Sequence, residues 1–447
     1  MSAGKLGASN VRATQDKRSA LSRSGLAAYA AGSFSTGVFS TVPTVLLLYF
    51  CTQILSIDPA LASILVLVPK VWAILWDPLV GSWSDRAVTP LGRRRPFMLV
   101  GAAGVTLAFI AIFSPPRLPA GPLFVWMMAS YFALATSYSL FAVPYVAIPA
   151  EIGATARERS RLVGWRMLVV MVGVLTGAAV APLVVAAAGG GAHGYAVMSV
   201  IVATVCGLAM VGPIIALGGR DQPVAVPGVR RSGWRQAIRN PRFVTLALTY
   251  IILLTAIGAV SSVSPYLVTG VFHRAEGDIG IALLAMLGTM TATLPFWVWA
   301  GRSLGERRAL VFAIVVFATA SPLLGLAAVL DVSWPIALAL FALMGLPLAG
   351  LQLLPFTLSA HVIHEAVAAS DQTGAGEGVF AGLWTAAEKL GLALGPALTG
   401  VAMTFGADFS RVSAPFTAIV PAVLAIASLP LLLGLNRRQA AVPGAAF

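Results

Sequence analysis

The sequence predicts an all-α membrane protein of twelve transmembrane helices, arranged as two parallel six-helix repeats. Composition is the first reason. Of 447 residues, 58% are hydrophobic and 10% charged, where soluble domains carry about 25% charged residues, and the mean hydropathy is +0.90. At roughly 20 residues per span plus short connections, the chain holds about a dozen spans. The second reason is patterning, with long apolar runs separated by short polar stretches at about 25–52, 60–84, 97–113, 122–149, 162–186, 194–217, 242–269, 279–300, 309–330, 335–360, 379–404 and 413–435. The third is a repeat. Leu91-Gly92-Arg93-Arg94-Arg95 follows the second run, and Leu304-Gly305-Glu306-Arg307-Arg308 follows the eighth, 213 residues later.

Taken in order, residues 1–24 are polar and basic and read as a disordered cytoplasmic tail. The run after them is too long for a signal peptide and lacks a cleavage site, so it stays as the first span. Twelve spans place both termini on one side. With that side cytoplasmic, 23 Lys and Arg fall inside and three (Arg117, Arg274, Arg411) outside, while Lys70, Arg166 and Lys389 lie within spans. Basic residues gather in cytoplasmic loops of membrane proteins. The net charge of +13 is thereby accounted for without a nucleic-acid partner. Residues 25–217 and 242–447 form the two bundles, and 218–241, rich in Arg, Pro and Gly, is the cytoplasmic linker. Cys51 and Cys206 sit in apolar stretches and make no disulfide framework. The four histidines lie in or beside loops, and no set of His and Cys completes a metal site. No phosphate-cradling GxxxxGK[ST] run occurs, so neither an enzyme nor an ATP-driven pump is expected. Parallel six-span repeats are a design of secondary transporters, with the solute site at the midplane between halves.

Several motifs carry a resemblance. Trp76-Asp77-Pro78-Leu79-Val80-Gly81-Ser82-Trp83-Ser84-Asp85-Arg86, followed by Leu91-Gly92-Arg93-Arg94-Arg95-Pro96, resembles the second span and following loop of the glycoside–pentoside–hexuronide:cation symporters of the major facilitator superfamily. Val143-Pro144-Tyr145 to Glu151, Arg157 to Arg166, and Thr373-Gly374 through Lys389-Leu390-Gly391 agree with it, in order, across both halves. The resemblance implies the major facilitator fold, with alternating access and a cation-coupled solute. Asp77 is then the coupling carboxylate, and Ser139 matches a hydroxyl of the family's cation site. A carboxylate at that depth is costly and faces a cavity, a cation or a basic partner, and Lys70 seven residues earlier is the structural alternative. Sodium carriers of the family pair two aspartates four residues apart, but here the first is Ala73. Loss of a second set of oxygens disfavours sodium and favours a proton. The family's sugar-binding acids align with Gly37 and Ala142, and its sugar-stacking Trp aligns with Val146, so the galactoside site is missing.

Arg166 and Lys389 match the family's basic residues in spans five and eleven, and either contacts solute, relays charge, or pairs structurally with Glu151, Glu388 or Asp77. Polar stripes at helical spacing occur in span one (Ser33, Thr36, Ser40, Thr44), span seven (Thr255, Ser262, Tyr266) and span ten (Gln352, Phe356, Ser359). They fit either an aqueous cavity or helix packing. Tyr131, Tyr138 and Phe141 offer span four an aromatic wall. Asp85, Arg86, Arg93, Arg94 and Arg95 resemble the superfamily's latch between its second and third spans, against a purely topogenic cluster. The preferred function is symport, coupled to H+ or Na+, of a small polar solute such as a sugar or glycoside. Two alternatives stay open: an amphipathic lipid such as a lysophospholipid, and a non-transporting membrane scaffold or sensor. No cofactor beyond the coupling ion is expected. The expected setting is a bacterial plasma membrane, with the protein acting as a monomer.

Overall fold

The computed structural model describes residues 21–152, 155–218, 237–330, 332–368, 377–405 and 409–437. Most of the N-terminal tail, residues 219–236 of the linker and the Thr373-Gly374 motif lie outside them. The described chain is helical throughout, with no strand among the described residues. The elements are α1 (Arg23–Tyr49), α2 (Pro59–Arg86), α3 (Arg95–Phe113), α4 (Ala120–Ile152), α5 (Ala156–Ala187), α6 (Gly191–Ala216), α7 (Pro241–Tyr266), α8 (Glu276–Ala292), α9 (Leu294–Leu304), α10 (Glu306–Val329), α11 (Trp334–Ala368), α12 (Glu377–Met403) and α13 (Phe409–Arg437). Short π-helical turns, Phe50–Ile54 and Leu267–Val271, extend α1 and α7. In hydrocarbon every backbone N–H and C=O must find its partner within the chain. Ten segments, from Arg23–Ile54 to Trp334–Ile363, are long and apolar enough to cross a membrane, and α8 with α9 makes one of them. α12 and α13 add two further long helices, of 27 and 29 residues.

Helix starts follow local chemistry. Asn240 caps α7, its side chain accepting from the backbone N–H groups of Arg242 and Phe243 at 3.0 and 3.1 Å, with Pro241 at the first helical position. The eighth span departs from the expected single helix. It breaks at Thr293 because Pro295, in the first turn of α9, offers no backbone N–H to the preceding turn. The connection after it is also shorter than the repeat implies. Gly305 alone joins α9 to α10, with φ +83°, whereas eight residues join α2 to α3, with Gly92 at φ +100°. A left-handed conformation at both positions favours glycine. His361 lies within α11 rather than in a loop, because that helix continues to Ala368.

The chain forms two compact units. One comprises 1–41, 75–177 and 195–226; the other comprises 42–74, 178–194 and 227–447. In the first, α3 packs along α4, with the backbone of Phe141 set against Gly101. In the second, α7 packs on α12 and α13, α10 on α11 and α13, and α8 on α11. The ends of α1, α2 and α5 that lie away from the arginine-rich connections belong to the second unit. Side chains such as Leu75, Leu107, Leu208 and Ile215, each at least 65% exposed, form the apolar exterior a bilayer requires.

Candidate solute and coupling site

The chemistry of the first unit is built on α1, α2, α4 and α5. Asp77 is half-buried in the middle of α2, and Ala73 one turn earlier is buried. The helix runs unbroken through Pro78. Ser139 on α4 is 1% exposed, and its hydroxyl donates to the Ala135 carbonyl at 3.1 Å. On α1, Thr36 and Ser40 donate to the carbonyls of Ser33 and Gly37 at 2.8 and 2.9 Å. Tyr138 of α4 reaches across to the Thr36 carbonyl at 3.5 Å. Thr36 and Tyr138 are therefore brought together, with the stripe hydroxyls largely satisfied by their own helix.

A tighter cluster surrounds Arg166. Its guanidinium carbon lies 5.4 Å from the centroid of the Tyr145 ring, a cation–π geometry. The Tyr145 hydroxyl is 2.5 Å from Ser33 Oγ and donates to the Tyr29 carbonyl at 2.8 Å. With that proton committed to the carbonyl, Ser33 must donate to Tyr145. The Tyr29 ring packs 5.1 Å from Tyr145, and its own buried hydroxyl has no hydrogen-bond partner among the described residues. Arg166 Nε is likewise buried without one, and Arg166 makes no ion pair among the described residues. The Glu151 side chain, its expected structural partner, lies outside the described residues. Sequence reasoning missed Tyr29. The available signal was its spacing of four from Ser33, which puts both on one helix face.

Gly37 explains the missing acid of span one. A Cβ there would collide with the Val170 carbonyl of α5 and lie 2.8 Å from the Val174 nitrogen, so any side chain would force the two helices apart. Phe141 is fully buried, its ring 5.3 Å from Tyr145, and Tyr131 is 4% exposed. They pack the interior rather than line a wall, because α4 turns this face to its neighbours.

In the second unit, Lys70 Nζ donates to Thr44 Oγ1 at 3.1 Å, while Gln352 is half-buried on α11. Lys389 is half-buried beside Glu388 on α12, one turn beyond Trp384, whose ring stacks on Tyr250 at 4.4 Å and 7°. Of the span-seven stripe, Ser262 meets Thr399 Oγ1 at 2.9 Å and Tyr266 meets Thr52 Oγ1 at 2.7 Å. Both cross-link helices, the packing role such hydroxyls serve in membranes. At the arginine-rich connection of the first unit, Arg94 pairs with Asp85 at 2.8 Å and reaches Ser84 Oγ at 3.3 Å. Arg95 Nε donates to the Ile214 carbonyl at 3.0 Å. Arg93 is 2% exposed, whereas Arg86 is exposed at the end of α2. Three or more metal-ligating groups do not gather anywhere among the described residues.

A bundle of hydrophobic spans with isolated charges at depth defines a multi-pass membrane protein. The pattern of the MFS/sugar transport protein family matches residues 28–436, and the chain belongs to that family. It is 32% identical over 157 residues to the "Putative glycoside/cation symporter YagG" of Escherichia coli, covering 35% of this chain and 34% of the relative. It is 26% identical over 349 residues to the human "Sodium-dependent lysophosphatidylcholine symporter 1", covering 71% of this chain and 63% of the relative. The chain thus spans less than two thirds of either. A "Sphingosine-1-phosphate transporter MFSD2B" of Xenopus tropicalis is 22% identical over 95% of this chain and 88% of its own. In fold, the chain resembles the crystal structure of a bacterial homologue of the lysosomal transporter Spinster, with a TM-score of 0.68 and 13% identity over 92% of this chain and 95% of that one.

Proposed function

We propose that the protein is a cation-coupled symporter of a small polar solute, a sugar or glycoside, working by alternating access in a bacterial plasma membrane with both termini cytoplasmic. One observation carries the reading: within the spans, the Arg166 guanidinium is framed by Tyr145, Ser33 and Tyr29 and makes no ion pair among the described residues. A basic group at this depth is costly, and hydrogen bonds from a hydroxyl-rich solute offset that cost. Asp77 with Ser139 is the coupling site. Lys70, Arg166, Lys389, Thr36, Ser40, Tyr138 and Gln352 contact solute or relay charge, and the cluster Asp85, Arg86, Arg93, Arg94 and Arg95 is the cytoplasmic latch. A proton is the preferred coupling ion, because Ala73 supplies no second carboxylate for sodium.

A lysophospholipid is the second reading. It is favoured by the same buried guanidinium, which complements a phosphate, and by similarity to the lysophosphatidylcholine symporter over 71% of this chain. Ligand stabilisation separates the two, since a true ligand at 100 times its Kd adds about 2.7 kcal/mol to stability. Sugars, and not lysophospholipids, should raise the melting temperature of the solubilised protein. Uptake is then measured in proteoliposomes under separately imposed proton and sodium gradients. Asp77→Asn should abolish accumulation while leaving exchange in place. Full accumulation by that variant sinks the coupling role, and uptake driven by sodium alone sinks the proton preference.

A further inference from the structure

At the helix ends away from the arginine-rich connections, one set of contacts occurs twice. Tyr49 ends α1 and Tyr266 ends α7, each followed by a five-residue π-turn, and the two sites are displaced by 217 residues. The Tyr266 hydroxyl lies 2.7 Å from Thr52 Oγ1, and the Tyr49 hydroxyl faces the Thr269 side chain. Thr52 and Thr269 are again 217 apart. Thr52 Oγ1 donates to the Leu48 carbonyl and Thr269 Oγ1 to the Pro265 carbonyl, both at 3.0 Å. A hydroxyl has one proton, so Tyr266 is the donor to Thr52, and Tyr49 is placed to donate to Thr269 in the same way. The two rings meet edge to face, with centroids 5.1 Å apart at 64°.

The flanking helices repeat the relation. A Cβ at Gly280 of α8 would collide with the Ala179 carbonyl of α5 and lie 3.3 Å from the Leu183 side chain. A Cβ at Gly400 of α12 would collide with Ser63 Oγ of α2 and lie 3.1 Å from the Pro59 carbonyl. Positions 63 and 280, and 183 and 400, share the displacement of 217. Exchanging the two halves therefore maps these contacts onto themselves, as in the isologous interface of a symmetric dimer.

We propose that the pairs Tyr49–Thr269 and Tyr266–Thr52 form a two-fold clasp that closes the end of the transport path opposite the arginine connections, and that both pairs part when solute enters or leaves there. This rests on the transport reading above. Hydroxyl pairs suit such a gate physically. A parted tyrosine exchanges its threonine for water at small net cost, so closure is reversible, whereas the surrounding rings exclude water while it is shut. Tyr49 and Tyr266 are 5% and 1% exposed, and Cys51, between Tyr49 and Thr52, is fully buried.

Cys51 makes the clasp measurable without any solute or gradient. Its modification by a membrane-impermeant maleimide is followed by peptide mass spectrometry on the full chain in proteoliposomes, with Cys206 of the other unit as internal control. Loss of one hydrogen bond shifts a two-state equilibrium by roughly fivefold, within the ordinary range. Tyr49→Phe and Tyr266→Phe should each speed Cys51 labelling about fivefold, equally within about twofold, and together about 25-fold if the pairs act independently. Thr52→Val and Thr269→Val remove the acceptors and should reproduce those factors, which distinguishes the clasp from a folding defect in either tyrosine variant. Unchanged Cys51 labelling in the double Phe variant overturns the clasp. A large effect from one tyrosine and none from the other overturns its two-fold character. Failure of sugar or cation coupling would leave these labelling outcomes untouched.

Discussion

The two ends of the helices treat the same internal repeat in opposite ways. Away from the arginines, the repeat is kept at the level of individual side chains, with a constant displacement of 217 from Leu48/Pro265 through Ser63/Gly280. At the arginine-rich end it is broken. The glycines of the two short motifs, Gly92 and Gly305, both keep a positive φ but are 213 apart, so the first half holds four extra residues between the end of α2 and its glycine. Those residues give Arg94 the slack to fold back onto Asp85. At the helical displacement of 217, Asp85 corresponds to Arg302, a residue of opposite sign, and Arg307 turns instead to the Leu433 carbonyl at 2.8 Å. A symmetric end supports one isologous contact. At the asymmetric end the contacts differ: Arg94 pairs with Asp85 in one half, and Glu306 lies 3.2 Å from His361 Nδ1 in the other.

The comparison is broken most severely at its tightest symmetric contact. Gly280→Ala drives a Cβ into the Ala179 carbonyl, a backbone atom, and should cost about 2–3 kcal/mol, read as a lower melting temperature of the solubilised protein. Gly400→Ala meets first a serine side chain that can rotate away, and should cost less than half as much. Equal losses would mean that the two contacts are alike in stiffness as well as in position. At the other end, Asp85→Asn removes the opposite charge from beside a guanidinium that is 6% exposed. Breaking a fully buried pair costs about 3–5 kcal/mol, and with Asp85 34% exposed roughly 1–2 kcal/mol is expected. The smallest effect is expected from Arg307→Ala, within about 0.5 kcal/mol, since its contact is exposed. If thermal melts rank Arg307→Ala with Asp85→Asn, the two basic loops do the same work and the asymmetry is lost.

Much of the candidate site was legible because charge within an apolar span is conspicuous. Asp77, Arg166, Lys70 and Lys389 each stand out against their neighbours for that reason. Hydroxyl stripes were legible as faces but not as roles, because a Ser or Thr satisfied by its own helix has the same spacing as one lining a cavity. Thr36 and Ser40 prove to bond backward, while Ser262 and Tyr266 bond across. Tyr49 and Thr269 drew no notice, since nothing in either stretch alone marks a contact made 220 residues away.

By itself the sequence determined the helical class, the order of the spans, the family and the side on which basic residues gather, because the bilayer imposes a one-dimensional code of apolar length and terminal charge. It also exposed the short glycine–arginine repeat. Only the tertiary structure decided that Pro295 breaks a span while Pro78 does not, that Gly37 is held by the backbone of α5, that Arg166 leans on Tyr145, and that the repeat closes on itself at one end and diverges at the other. Each of these depends on which atoms of distant helices arrive within a few ångströms, and local composition carries no record of that.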